Sequence, residues 1–156
     1  MTVESPEIFV LAGVTAVGKT AFSLEWAEQA GAEILSCDAL LFYRGMDVGT
    51  AKPTREERER IPHHGIDLVE PSEPFDVARY VTYATEKVKE IHDRGRRVLV
   101  VGGSGFYLKS FFESVVDEVK VPKAIRVEVR ALEEEAGLDG LVTRLRERNP
   151  ELPVDL

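Results

Sequence analysis

The sequence predicts an α/β fold in which a parallel sheet is flanked by helices. Three short aliphatic runs, at residues 8–12, 32–36 and 98–101, have the length and composition of buried strands. Stretches with apolar residues at steps of three and four, which are typical of amphipathic helices, lie between and after these runs. Buried strands that alternate with helices indicate a parallel sheet with right-handed crossovers.

The first strand and the first helix are sharply marked. The run Ile8-Phe9-Val10-Leu11-Ala12 ends at a glycine, so a turn must follow it. Residues 19–30 then place apolar side chains among polar ones, and Gly31 stands where a helix C-cap is expected. The start of the chain therefore predicts a strand, a loop and a helix in that order.

The rest of the chain carries further helices around the third strand. Residues 77–94 have an amphipathic period that ends at Gly95, just before the strand at 98–101. The other predicted helices span residues 105–114, 124–136 and 138–148, the last two separated by Gly137.

Two segments, residues 43–53 and 63–73, show neither a helical nor a strand period. Long loops inside a compact domain are often functional. We therefore expect these two segments to be functional or mobile loops.

Composition restricts the class of protein. The chain has 156 residues, of which 44% are apolar and 31% charged, the balance of a globular domain rather than a disordered one. No stretch approaches the roughly 18 consecutive apolar residues that a membrane helix needs, and residues 1–6 lack the layout of a secretory signal. We therefore expect a cytoplasmic protein with no membrane partner. The single cysteine, Cys37, agrees with a reducing compartment and is most simply a small buried residue.

The formal charge of −8 argues against broad, nonspecific binding of nucleic acid, because phosphate contacts need clustered Lys and Arg. A nucleic-acid partner would therefore have to dock on a local basic patch, or on a part of the protein that this chain lacks.

The strongest motif is a P-loop, which sits after the first predicted strand and opens the first predicted helix. Its residues are Gly13-Val14-Thr15-Ala16-Val17-Gly18-Lys19-Thr20. In such a loop the backbone N–H groups turn inward on phosphate oxygens at the positive end of the helix dipole. Lys19 adds a mobile cation, and the Thr20 hydroxyl is placed to ligate Mg²⁺. The predicted fold is therefore P-loop NTPase-like, with a bound phosphate chain and Mg²⁺ as cofactor.

A P-loop alone leaves the chemistry open, because phosphoryl transfer is its default use. Asp38 follows the second predicted strand and could serve as a general base, as a residue of the metal shell or as a helix N-cap. A small-molecule or nucleotide phosphotransferase is one hypothesis at this stage.

Four stretches after the P-loop resemble the tRNA dimethylallyltransferases, also called tRNA isopentenyltransferases. They are Asp38-Ala39-Leu40, the run Tyr43-Arg44-Gly45-Met46-Asp47-Val48-Gly49-Thr50-Ala51-Lys52-Pro53-Thr54, then His63-His64-Gly65-Ile66-Asp67, and Gly102-Gly103-Ser104-Gly105-Phe106-Tyr107-Leu108-Lys109. The resemblance runs from about residue 8 to residue 109 and more loosely to the end. The run from Tyr43 to Thr54 is its most specific part, because no general rule of folding produces it.

The resemblance implies transfer of a dimethylallyl group from dimethylallyl diphosphate to N6 of the adenosine 3′ of the anticodon in tRNA. The P-loop would then hold a leaving diphosphate, Asp38 would accept the proton from N6, and the Ser104 hydroxyl would contact the diphosphate where the family usually has threonine. Ser104 is also a favoured helix N-cap, and both roles can coexist.

The resemblance also implies where tRNA binds and how the chain is divided. We expect contacts with tRNA from Asp38, Ala39, Leu40, Leu41, Arg44, Lys52 and Arg126, with Arg130 nearby, although Arg44 and Lys52 could also be solvated surface charges. His63 and His64 have poor spacing for a metal site and are expected to be structural or substrate-loop residues.

Residues 1–122 are predicted to form the P-loop core, and residues 123–156 the start of a small helical insertion that grasps tRNA. Family members are commonly about twice this length, so we expect this chain to be an N-terminal half. We also expect a monomer. Beside transfer to tRNA, the phosphotransferase hypothesis and two others stay open. One is a prenyltransferase for free adenine nucleotides, and the other is a fragment that binds diphosphate without turnover.

Overall fold

A computed structural model describes residues 7–103, 105–115 and 121–151. These residues fall into two compact units, one within Met1–Val116 and the other within Asp117–Leu156. The division predicted from sequence, after residue 122, stays a prediction about domains.

The first unit is built on four parallel strands. They are β1 (Ile8–Ala12), β2 (Ala32–Ser36), β3 (His63–His64) and β4 (Arg97–Gly102), and they lie side by side in the order β1-β4-β2-β3. β4 thus runs between β1 and β2, with Leu99 beside Phe9 on one side and beside Ile34 on the other. The carboxyl ends of β1, β2 and β4 meet at one edge of the sheet, which is where ligands bind in open α/β folds.

Helices lie between and after these strands. In chain order they are α1 (Lys19–Ala30), a single 3-10 turn (Ala39–Phe42), α2 (Arg55–Arg60), α3 (Val77–Asp93), α4 (Gly105–Lys109) and, in the second unit, α5 (Lys123–Arg148).

The sheet carries a separate apolar core on each face. On one face Leu24 and Ala27 of α1 pack against Ile34 and Leu99. On the other face, the buried residues of α3 pack with side chains of the sheet and of the 3-10 turn: Tyr80, Ala84, Val88, Ile91, Leu35, Val98, Val100 and Phe42. Alternation along the strands sends neighbouring side chains to opposite faces, so α1 and α3 cover the sheet from both sides.

The predicted fold class is confirmed, and so are most of its elements. β1, α1 and β2 have the bounds that the sequence predicts, with Gly31 capping α1 in the left-handed region at φ 64°. β4 extends one residue further at each end than predicted, and α3 ends one residue earlier, at Asp93.

The helix predicted at residues 105–114 is wrong in length. α4 ends at Lys109, and the chain continues in tight turns in which Ser110 and Phe111 donate to carbonyls three residues back. The Ser110 hydroxyl also donates to the Tyr107 carbonyl at 2.6 Å, a local bond that competes with the helical pattern.

The sequence interpretation did not include α2, the 3-10 turn or β3. α2 begins with a capping box, in which Thr54 Oγ1 accepts from the Glu57 amide and the Glu57 carboxylate accepts from the Thr54 amide.

The second unit contains α5, which is two helices joined at Gly137. Gly137 has φ 64° and ψ −166°, a conformation that favours glycine, so the predicted helical pair is confirmed. Ile125, Val129, Leu132, Leu141 and Leu145 line an apolar groove of about 330 Å³ between its two arms. Within the part of the chain described here, no helix is both long and apolar enough to cross a membrane.

Candidate diphosphate-binding site

The P-loop lies between β1 and α1; residues 13–18 are exposed to solvent, and Lys19 and Thr20 are half-buried. Ala16 and Gly18 have positive φ angles of 64° and 93°, which turn the backbone into a concave loop. No side chain caps the first turn of α1. Open N–H groups at a helix N-terminus and a concave loop of amides together form an anion-binding surface.

Lys19 lies across the mouth of this loop. Its Nζ donates to the carbonyl oxygens of Gly13 and Val14, both at 2.8 Å. Both partners are neutral carbonyls, so a phosphate oxygen that enters the loop would offer the ammonium group a stronger, charge-assisted partner.

Asp38 stands at the carboxyl end of β2, one residue after Cys37. Its Oδ1 accepts a hydrogen bond from the Leu40 amide at 3.1 Å, so Asp38 is the N-cap of the 3-10 turn. One of the alternatives considered from sequence, the N-cap, is therefore present in the structure. The Asp38 carboxylate is half-buried at the edge of the sheet where the strands end.

Gly102 brings the end of β4 against the end of β2. A Cβ atom at position 102 would lie only 2.3 Å from the Cys37 carbonyl oxygen, so no larger residue fits without a shift of backbone. The Cys37 amide also donates to the Val101 carbonyl at 2.8 Å. These contacts determine the position of the backbone from which Asp38 emerges.

The P-loop, Asp38 and the ends of the strands enclose one cavity of about 400 Å³. Its walls come from the P-loop and α1, from the 3-10 turn, from the end of β4 and from a loop after the 3-10 turn. The lining residues are Thr15, Ala16, Gly18, Lys19, Thr20, Asp38, Leu40, Leu41, Gly49, Thr50, Ala51, Val101, Gly102 and Gly103. The structure therefore brings together Lys19, Thr20 and Asp38, which the sequence analysis had selected separately.

Among the lining residues that were not assigned to the diphosphate site from sequence are Gly49, Thr50 and Ala51. They belong to the segment with no regular period, and only the long-range fold brings them opposite the P-loop. The glycine at position 49 was itself a signal in the sequence, because glycine is favoured where the backbone has a positive φ. The φ angle of Gly49 is 79°.

Arg44 and Lys52 are engaged by the protein itself. Arg44 donates to the carbonyl oxygens of Asp67 and Leu68, at 3.0 and 3.3 Å, and pairs with Glu70. The Lys52 side chain is only 2% exposed, so it is not the solvated surface charge that was one of its two interpretations. Their contacts with tRNA stay predictions.

The two adjacent histidines have structural contacts. The His63 ring lies 2.7 Å from the Ile61 carbonyl oxygen, and His64 Nε2 lies 2.6 Å from Oε2 of the buried Glu33. Arg94 donates to the same carboxylate at 2.6 Å. Burial alone would raise the pKa of Glu33, but its bonds with Arg94 and His64 outweigh that effect and hold the pKa below its usual value.

The remaining predicted residues are placed as follows. Leu41 is buried, Leu40 is about half-exposed, and Arg126 and Arg130 are exposed on α5 in the second unit. Ser104 lies outside the described residues. Among residues 7–103, 105–115 and 121–151, no group of three or more His, Cys, Asp or Glu side chains could hold a metal ion. The roles assigned to all these residues stay predictions.

Cys37 is fully buried, and burial raises its pKa to about 11. A thiol that stays protonated is a poor nucleophile, which agrees with the interpretation of Cys37 as a small buried residue.

A parallel sheet whose first strand leads through a P-loop into a helix defines this chain as an α/β P-loop protein. The family model for IPP transferase matches residues 41–154, and the chain belongs to this family.

Known proteins agree with that membership. A tRNA dimethylallyltransferase of Opitutus terrae is 54% identical over 147 residues, which are 94% of this chain and 47% of the relative. This chain is also similar to the solved structure of a tRNA isopentenylpyrophosphate transferase from Bacillus halodurans. The match covers 94% of this chain and 49% of the Bacillus protein, with 37% identity and a TM-score of 0.71.

A eukaryotic dimethylallyltransferase that acts on tRNA is similar over 95% of this chain and 37% of its own, with 30% identity and a TM-score of 0.81. The chain thus spans about half the length of the curated relatives it matches.

Proposed function

We propose that this chain carries the diphosphate-binding and proton-accepting part of a tRNA dimethylallyltransferase. The observation that carries the proposal is the single cavity that contains Lys19, Thr20 and Asp38. Its donor is dimethylallyl diphosphate, and its acceptor is N6 of the adenosine 3′ of the anticodon. Membership of the IPP transferase family supports this choice over a phosphotransferase.

The P-loop would bind the diphosphate of the donor. Its amides and Lys19 would stabilise the negative charge that grows on the diphosphate as the bond between carbon and oxygen breaks. Lys19 would move from the carbonyls of Gly13 and Val14, which it now contacts at 2.8 Å, onto phosphate oxygens. Stabilisation of the leaving group is the main contribution that this loop can make.

Asp38 would receive the proton. When N6 forms its bond to the allylic carbon, the nitrogen loses a proton and diphosphate departs. A half-buried carboxylate at the same cavity can accept that proton if the amine comes within hydrogen-bond distance. The bond from the Leu40 amide at 3.1 Å would keep Asp38 Oδ1 in position.

The site also suits Mg²⁺, because the Thr20 hydroxyl is a hard oxygen ligand in the same cavity as the P-loop. Magnesium would neutralise part of the charge of the bound diphosphate. We also propose that the acceptor is tRNA and that the protein acts as a monomer in the cytoplasm.

The test is a transfer assay with labelled dimethylallyl diphosphate, in which tRNA and AMP are offered separately as acceptors. We expect label in tRNA and a rate that falls by about 100-fold or more in Asp38→Asn, since general-base catalysis contributes on the order of 10²–10⁴. Asp93→Asn, an exposed carboxylate at the end of α3, is the matched control and should keep the wild-type rate.

Three results would contradict parts of this proposal. Label in AMP would indicate an adenylate prenyltransferase, and an active Asp38→Asn variant would exclude Asp38 as the base. A chain that binds diphosphate and labels neither acceptor would be a binding unit without turnover.

A further inference from the structure

A buried lysine organises the loop that follows the 3-10 turn. Lys52 Nζ donates to the Tyr43 carbonyl oxygen at 2.9 Å, to Asp47 Oδ1 at 2.7 Å and to Asp67 Oδ1 at 2.8 Å. An ammonium group has three donors, so all three are used inside the protein. Lys52 therefore links three parts of the chain: the start of the loop at Tyr43, its middle at Asp47, and the segment after β3 at Asp67.

The charges of this cluster are balanced. Arg58 Nη1 pairs with the second oxygen of Asp67 at 2.9 Å, so two cations face two carboxylates, those of Asp47 and Asp67. Burial alone would lower the pKa of Lys52, but the two aspartates outweigh it and hold the pKa above its usual value. Lys52 and Arg58 likewise hold the pKa of Asp67 below its usual value, against the effect of burial. The cluster is therefore ionised at neutral pH.

The same loop forms one wall of the diphosphate cavity. Gly49, Thr50 and Ala51 line that cavity, and Ala51 comes directly before Lys52. Ala51 has φ 54°, a strained conformation for a residue with a Cβ atom, which persists only where the surroundings hold it. Thr50 is held as well, because its Oγ1 donates to the Met46 carbonyl at 2.7 Å.

We propose that Lys52 is a positioning residue, whose contacts with Tyr43, Asp47 and Asp67 hold Gly49–Ala51 in place as the cavity wall opposite the P-loop. This inference rests on the proposed function of that cavity. It gives Lys52 a different role from the contact with tRNA expected from sequence, because the ammonium group has no donor left for a substrate.

The test uses Lys52→Met, which removes the charge and keeps an unbranched chain, and Lys52→Arg, which restores a cation able to pair with both aspartates. Lys89→Met, at an exposed lysine on α3, is the matched control. Asp47→Asn is a milder second variant, since Asp47 is largely exposed and its replacement leaves the pair between Lys52 and Asp67 intact. It serves if Lys52→Met fails to fold.

Two readouts separate positioning from general stability. The first is the set of backbone amide resonances of the free protein, and the second is the Kd for inorganic diphosphate with Mg²⁺, corrected for the folded fraction. In Lys52→Met we expect the amide signals of Gly49 and Thr50 to shift or broaden, those of Ala27 and Ile91 in the two cores to stay, and the Kd to rise about tenfold. Lys52→Arg should recover much of the affinity, and Asp47→Asn should shift the same two signals by less.

Unchanged signals of Gly49 and Thr50, or a Kd in Lys52→Met equal to that of Lys89→Met, would overturn the positioning role. A wild-type chain that binds no diphosphate would instead contradict the proposed function. The amide spectra would still decide whether Lys52 holds the loop.

Discussion

Replacement of Gly102 by alanine should separate the ends of β2 and β4 beneath the site. The new Cβ would lie 2.3 Å from the Cys37 carbonyl oxygen and 2.7 Å from its carbonyl carbon, where ordinary contacts are 3.4–4 Å. The strand ends must therefore move apart by about 1 Å, a distance that weakens the hydrogen bond from the Cys37 amide to Val101.

These contacts should lower the free energy of unfolding. Overpacking of this kind costs about 1–3 kcal/mol, and a weakened backbone hydrogen bond adds about 1 kcal/mol. For a chain of this size, each kcal/mol lowers the Tm by roughly 2–4 °C, so we expect a loss of about 5–15 °C. Asp38, which follows Cys37, should also move, and transfer activity should fall with it.

Thermal unfolding followed by circular dichroism tests this estimate, with Gly103→Ala as the matched control. At position 103 the nearest atom to a new Cβ is the Gly13 carbonyl oxygen at 3.5 Å, an ordinary contact, so this variant should stay within about 0.5 kcal/mol of wild type. Equal stability of the two variants would refute the reasoning.

Three further predictions concern single side chains. Cys37, with a pKa of about 11, should react with a disulfide reagent at pH 8 at least about 10-fold more slowly than an exposed thiol of pKa 9.0, because it forms less thiolate and is buried. Thiol absorbance measures the rate, and labelling at the rate of the unfolded chain would contradict its burial. Glu33→Gln should cost about 2 kcal/mol in urea unfolding at pH 7, because it weakens bonds to Arg94 and His64. Since the pKa of Glu33 is depressed in the fold, that difference should shrink as the pH falls below 4.5, and a difference independent of pH would contradict the assignment. Lys19→Ala should weaken diphosphate binding by about 10- to 100-fold in a calorimetric titration, and an unchanged Kd would exclude Lys19 from the site.

Local signals in the sequence account for the elements that could be predicted. β1, α1 and β2 combine an unbroken apolar run or helical period with a glycine at the boundary, and the P-loop between them has a fixed spacing. α2 also had a local signal, the Thr54 and Glu57 capping box, although no apolar period follows it.

The elements that could not be predicted depend on contacts between distant residues. β3 is only two residues long, and its pairing is decided by the edge that β2 offers. The loop that ends at Lys52 takes its shape from ion pairs with Asp67, fifteen positions further along the chain. For the same reason the sequence predicted the P-loop and Asp38 but not the opposite wall of their cavity, since a sequence pattern carries no sign of which distant loop will face it.

We propose that the P-loop cavity binds the diphosphate of a prenyl donor. Calorimetric titration of the purified chain with dimethylallyl diphosphate and with ATP, each with Mg²⁺, tests it most directly. We predict tighter binding of dimethylallyl diphosphate, with the affinity reduced about 10- to 100-fold in Lys19→Ala. A clear preference for ATP, or no binding of either ligand, would contradict the claim.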